Sequence, residues 1–144
     1  MNLISIVILG FVVLESTNVV ALYFFPGSKY ANSVGIFKAW EKSKQDPEVH
    51  DFVKYLVNWV AGTKLIFLSL LVVILLTADA QGLFYTGIAL ALAISSFFWR
   101  LFPLARRMDR EGQLDPGHYS SILGLMIAGM VLLFVIAIVV TGNG

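Results

Sequence analysis

The sequence predicts an all-α polytopic membrane protein, a four-helix transmembrane bundle with a short amphipathic helix between its first two spans. Three observations predict it. The 144-residue chain is 58% hydrophobic and only 13% charged, whereas a soluble domain is roughly half apolar and about a quarter charged. Its mean hydropathy is +0.85, too apolar a surface for so few charges to cover in water. Four apolar runs reach the length of about 20 residues that a helix needs to cross about 30 Å of hydrocarbon. In lipid the backbone must satisfy its own polar groups, which makes each run a helix.

The elements are expected as one domain, residues 1–144, with spans near 3–25, 56–77, 82–104 and 119–141. The first span lacks a basic leader and a small-residue cleavage site, and it is too long for a signal peptide, so it is expected to stay in the mature protein. Residues 26–55 form the first connection. There, in "KYANSVGIFKAWEKSK", Tyr30, Val34, Phe37 and Trp40 recur at helical spacing opposite Lys38, Glu41 and Lys42. That pattern suits an amphipathic helix lying on the inner leaflet, or an ordered loop that packs its aromatics under the bundle. "QDPEVH" opens the next helix, with Asp46 as N-cap and Pro47 at the first helical position. Residues 105–118 form the second connection.

The two connections begin and end alike. "YFFPGSK" and "WRLFPLARR" pair an aromatic–Pro stop with basic residues, and "QDPEVH" and "LDPGHY" lead into the helices that follow. This suggests a parallel internal repeat of two helical hairpins. Pro stops and Asp-Pro caps are also common at unrelated helix ends.

Charge sets the expected orientation. Nine of the ten Lys and Arg fall in or beside the two long connections: Lys29, Lys38, Lys42, Lys44, Lys54, Arg100, Arg106, Arg107 and Arg110. The positive-inside rule then makes both connections cytoplasmic and both termini external, in an inner cell membrane. Tyr23, Tyr55, Trp59, Trp99 and Tyr119 would form an aromatic belt at that interface.

The tenth cation, Lys64, lies inside a span, and so does Glu15, in "FVVLESTNVVALYFF". Counted at about 1.5 Å per residue, Glu15 is about 15 Å and Lys64 about 12 Å from the cytoplasmic end. An isolated charge at mid-bilayer costs at least about 2.5–3.5 kcal/mol, which a Glu15–Lys64 pair would relieve. Asn18, one turn from Glu15, is placed to join it, and Arg100 is placed to approach from below. Glu15, Asn18, Lys64 and Arg100 are therefore the candidate intramembrane polar site. Lys64 snorkelling alone, a protonated Glu15, or a pair that only sets helix register are the plainer alternatives.

Small and polar residues mark candidate helix-packing faces: Asn58 and Gly62 on the second span, Gly87, Ala91 and Ser95 on the third, Gly124 and Ala128 on the fourth. No phosphate loop, serine-hydrolase elbow or zinc-protease motif is present, and no catalytic residue or cofactor is expected. The absence of cysteine excludes disulfides, Cys-ligated zinc and a Cys nucleophile. His50, Asp51, Asp115 and His118 form a weak metal or acid–base candidate at the inner surface, with helix capping and solvated charge as the plainer reading. A net charge of +1 gives no reason to expect nucleic acid. The expected partners are the lipid bilayer and either a homo-oligomer or a larger membrane complex. Three functions fit: a non-enzymatic binding or assembly subunit, which is preferred; a proton- or small-solute-conducting transporter or channel using Glu15 and Lys64; and an inner-leaflet lipid-modifying enzyme. In outline, the four-helix layout resembles the small DoxX-like membrane proteins, with no shared motif that assigns a residue a role.

Overall fold

The computed structural model describes residues 2–142. Its helices are α1 (Leu3–Phe24), α2 (Lys38–Ser43), α3 (Pro47–Thr77), α4 (Ala80–Ser95), α5 (Phe97–Arg110) and α6 (Tyr119–Gly142), with a 3-10 turn at Val34–Ile36. Leu3–Phe24, Pro47–Thr77, Ala80–Arg110 and Tyr119–Gly142 are each long and apolar enough to cross a membrane. The all-α architecture is thus that of a four-helix bundle, consistent with a small multi-pass integral membrane protein.

Helix starts are set by short polar side chains that accept otherwise unpaired amides. Asn2 Oδ1 takes the Ser5 amide at 3.0 Å, Asp79 the Gly82 amide at 2.8 Å. Asp46 takes those of Glu48 and Val49 at 3.1 and 3.3 Å, with Pro47 behind it. α6 is capped from a neighbouring helix. Asp109 on α5 accepts the Ser120 amide at 2.9 Å, the Ser120 hydroxyl at 2.6 Å and the His118 amide at 2.9 Å.

α1 is the hub of the bundle. It packs on α3, α6 and α4, while α4 and α5 each pack on α6. Ile4, Ile8, Phe11, Val12 and Val19 of α1 meet Leu68 and Leu71 of α3, Leu83, Leu90 and Ala91 of α4, and Phe134 and Ala137 of α6. Phe11 sets its ring edge-on to Phe67 and Phe134, with centroids 6.3 and 6.0 Å away, the favoured geometry for aromatic pairs. The apolar window of α1 is 39% buried, against 17% for each of the other three. α1 is therefore the most buried of the four, and the others leave more of their apolar surface exposed.

The third span departs from its expected limits. It is interrupted at Ser96 and continues to Arg110, with Pro103 inside α5 rather than ending the helix. At the interruption the Ser95 and Ser96 hydroxyls donate back to Ala91 O and Ala93 O, at 2.7 and 2.6 Å. The Ser96 amide is shared between Leu92 O and Ala93 O, both at 3.2 Å. A Ser pair that back-bonds in this way tightens the turn. The parallel-repeat pattern dissolves at the same places. Pro26 follows the end of α1 while Pro103 lies inside α5. Asp46 caps its own helix, whereas Asp115 binds Lys29 and Asp109 caps α6.

The amphipathic segment is shorter than the spacing suggested. Tyr30 is 83% exposed and Val34 falls in the 3-10 turn, so the helix is only α2, with Trp40 buried against His50 at a ring separation of 4.9 Å. The segment is held by the second connection. Lys38 N donates to Gln113 O at 2.9 Å and Asp115 N to Ile36 O at 2.8 Å, an antiparallel bridge between Phe37 and Leu114. Lys29 and Asp115 pair at 2.5 Å, and Lys38 Nζ reaches Gly112 O at 2.7 Å.

A Cβ on Gly87 would stand 2.4 Å from Cδ1 and 2.9 Å from Cγ1 of Ile4, a fully buried side chain with nowhere to move. Gly87→Ala should destabilise the bundle by about 1–3 kcal/mol through overpacking. Gly10→Ala, where the added carbon meets nothing, should be neutral or stabilising by up to about 1 kcal/mol. Reversible unfolding in detergent would measure both, and equal effects would contradict the packing described.

Candidate functional site

Glu15 and Asn18 stand three residues apart on α1, so both present to the same neighbour, which is α3. Lys64 on α3 answers them. Its Nζ donates to Glu15 Oε2 at 2.5 Å and to Asn18 Oδ1 at 2.6 Å. Asn18, only 6% exposed, uses its amide in the other direction, donating to Ala31 O at 2.5 Å and Asn32 O at 3.3 Å. Asn32 Oδ1 in turn accepts from Tyr119 Oη at 2.9 Å. A line of polar contacts therefore runs from the middle of α1 and α3, through the first connection, to the start of α6.

This geometry explains how four polar residues fit inside an apolar run. Glu15 and Asn18 both accept from Lys64 Nζ. Ser16 and Thr17 donate back to Val12 O and Leu14 O at 2.7 and 2.6 Å, which satisfies a hydroxyl on an outward helix face. Ser69 does the same to Leu65 O at 2.8 Å. The Lys64 and Glu15 side chains keep 30% and 24% exposure, so the pair is recessed rather than sealed.

Ala31 and Asn32 carry φ of 53° and 54°, the left-handed region that costs a residue with a Cβ about 1–2 kcal/mol. Asn adopts it more readily than Ala. Asn18 holds this turn by both of its carbonyls, and Gly35 closes it, packed so tightly on the Gly27 and Ser28 backbone that no Cβ fits. Asn32 was not singled out from the sequence, and Tyr119 only as an aromatic of the interfacial belt; their pairing leaves no local pattern because the two residues are 87 apart.

The other candidates are placed differently. Arg100 stands outside the cluster, exposed, with its guanidinium 5.3 Å from the Trp99 ring centroid, because α5 packs on α6 rather than on α1 and α3. Gly87 and Ala91 are buried toward α1, and Gly124 lies against Phe102. Gly62 faces the Tyr23 hydroxyl, and Ser95 bonds to its own helix. Asn58 and Ala128 lie on exposed faces. His50 sits 2.8 Å from Ser43 Oγ, Asp51 pairs with Lys54 at 3.3 Å, and Asp115 pairs with Lys29. The His118 amide donates to Asp109. Each of these four candidates is thus engaged with a different neighbour, and among the described residues no group of three His, Cys, Asp or Glu is placed to hold a metal.

Beside the polar cluster, α1 and α3 leave a shallow groove of about 240 Å³, lined by Val12, Ser16, Val19, Val20, Leu65, Leu68, Ser69 and Val72. No protein-family model, curated protein or solved structure matches the chain. Its chemistry is therefore read from its own residues.

Two outcomes test the cluster and its anchoring. Asn18→Leu removes both bonds to the first connection, so amide exchange at Ser33 and Gly35 should accelerate at least about tenfold while the α3 core amides stay protected; unchanged exchange would show that the turn holds itself. The Lys29 ammonium lowers the Asp115 carboxyl below its ordinary value of 3.8, helped by charge from Lys29 and Lys38. The tie is complete above that value and is lost as pH falls through the lowered one. Exchange of the Lys38 and Asp115 bridge amides should rise only below about pH 4, and Lys29→Met should abolish that dependence.

Proposed function

We propose that the chain is a non-enzymatic membrane assembly protein, and that its α1–α3 hairpin associates with the same hairpin of a second copy. The observation that carries this reading is the groove between α1 and α3, walled on one side by Ser16 and on the other by Ser69. Lipid tails are as apolar as leucine, so helices associate in a bilayer by close packing at small residues rather than by escape from water. Both serines have spent their hydroxyls on their own helices and offer a neighbour small, smooth surface. Next to the groove, Ile66, Leu70 and Val73 are 67%, 58% and 54% exposed and form a ridge at steps of four and three. A ridge beside a groove on one hairpin is self-complementary, the requirement of a twofold interface. The Lys64–Glu15–Asn18 contacts fix the spacing of the two helices and so the shape of the groove.

The glycine and alanine faces that suggested association from sequence serve a different purpose in this reading. Gly87, Ala91 and Gly124 are consumed inside the bundle, so the partner surface moves to α1 and α3. A second reading, a proton or small-solute site, is favoured by one observation, the residual exposure of the Lys64 and Glu15 side chains.

The chain has no cysteine, so Ser69→Cys introduces a unique thiol. In dilute proteoliposomes this variant should give a covalent dimer on mild oxidation, and adding Ser16→Leu, which fills the groove, should reduce the dimer at least about fivefold. Monomer at every protein-to-lipid ratio would refute assembly. The second reading is tested separately: Glu15→Gln should abolish a proton or solute flux in the same vesicles while the dimer persists, and a flux unaffected by it removes that reading.

A further inference from the structure

We infer that α5 is a binding surface for the phosphate headgroups of anionic membrane lipids, recognised by Arg100, Arg106 and Arg110 with Trp99 beside them. The inference starts from length. A helix crosses about 30 Å of hydrocarbon in about 20 residues, and 20 residues counted from Ala80 end at Trp99. Trp99 and Arg100 therefore fall at the edge of the hydrocarbon, and Arg106 and Arg110 lie about 9 and 15 Å further along the helix axis, across the headgroup layer and into its outer margin.

α5 is built for that level. At helical spacing Phe97, Leu101, Leu104 and Met108 share one side, of which Leu101 and Leu104 are 59% and 45% exposed. Phe102 and Asp109 turn to α6, against Gly124 and Ser120. Arg100, Arg106, Arg107 and Arg110 occupy the remaining arc with Trp99, which is 75% exposed. The helix buries none of its residues within the chain. It is an amphipathic helix with an apolar side for acyl chains and a cationic side for headgroups.

Among the described residues these three arginines stand together on one arc of α5 with their charge unspent, whereas the other cations at this end, Lys42 apart, each have a partner. Lys29, Lys44 and Lys54 are paired with Asp115, Glu41 and Asp51, and Lys38 donates to Gly112 O. Arg107 has Glu111 at 4.0 Å. Among the described residues, Arg100, Arg106 and Arg110 have no carboxylate within 4.0 Å, and the nearby Asp109 is turned away to Ser120. Guanidinium is planar, weakly hydrated and suited to grip phosphate oxygens two at a time. Arginines clustered immediately outside a span are attracted to anionic leaflets by short-range electrostatics.

The test uses the full-length protein, delipidated in neutral detergent. Dioleoylphosphatidylglycerol, dioleoylphosphatidylcholine or inorganic phosphate is added, and bound lipid is read by native mass spectrometry. The wild type should bind phosphatidylglycerol at least about tenfold more tightly than phosphatidylcholine. Arg100→Gln/Arg106→Gln/Arg110→Gln should erase that preference, and Lys38→Gln/Lys42→Gln/Lys44→Gln, an equal loss of charge, should keep it within about twofold. Should the arginine triple variant not fold, Arg106→Lys/Arg110→Lys keeps the charge but not the paired hydrogen bonds, and should weaken binding at least about threefold. The assignment is overturned by equal binding of the two lipids, by equal losses in the arginine and lysine variants, or by inorganic phosphate competing as well as the anionic lipid.

Discussion

Lys64 is the residue on which the first half of the molecule depends. An ammonium group within an apolar span has few places to go, and its long stem would otherwise draw it toward the bilayer surface. Here two acceptors on α1, Glu15 and Asn18, hold it at 2.5 and 2.6 Å. With those contacts made, α3 has one position relative to α1, and the first connection has one place to dock, because Asn18 has both ends of its amide occupied. Apolar packing of Val12 and Val19 with Leu68 and Leu71, and of Leu22 with Val57 and Ala61, pairs the same faces, and a donor with two fixed acceptors adds directional contacts to it.

A second constraint acts at the end of the bundle that carries the long connections. Main-chain hydrogen bonds from Lys38 and Asp115 join the two connections edge to edge, and Lys29 and Tyr119 add side-chain ties. The α1–α3 hairpin and the α4–α6 half of the bundle are thereby linked outside the apolar layer as well as through α1 within it. The α1–α3 groove is open because α3 leans chiefly on α1, and Arg100, Arg106 and Arg110 of α5 have no carboxylate within 4.0 Å among the described residues, because Asp115, Glu41 and Asp51 are taken by Lys29, Lys44 and Lys54.

Much of this architecture follows from properties a sequence displays directly. Span number follows from apolar length, and the start of α3 from Asp46 and Pro47, because both depend on residues close together in the chain. Counting helical rise places Glu15 and Lys64 near one height, since depth is additive along a helix. The continuation of the helix past Pro103 was hidden, because an aromatic–Pro pair normally marks a helix end, whereas here Pro103 lies inside α5. The repeat of "DPEVH" and "DPGHY" misled because one short motif does two jobs, capping in the first case and pairing with Lys29 in the second. Asn32, Tyr119 and Asp109 act through partners far away in sequence or on another helix, which no periodicity encodes. Small residues at steps of four were visible, but whether they faced a helix of the same chain or of another depended on the bundle's topology.

The central claim is that Lys64 and Glu15 are energetically coupled and not merely adjacent. A double-mutant cycle of Glu15→Gln and Lys64→Met, by reversible unfolding in bicelles, measures that coupling directly. The clamp predicts a coupling energy of at least about 1 kcal/mol, with Lys64→Met alone more damaging than the double replacement, because it strands the carboxylate. Effects that add to within about 0.5 kcal/mol would mean that each side chain is stabilised independently, and the clamp would be contradicted.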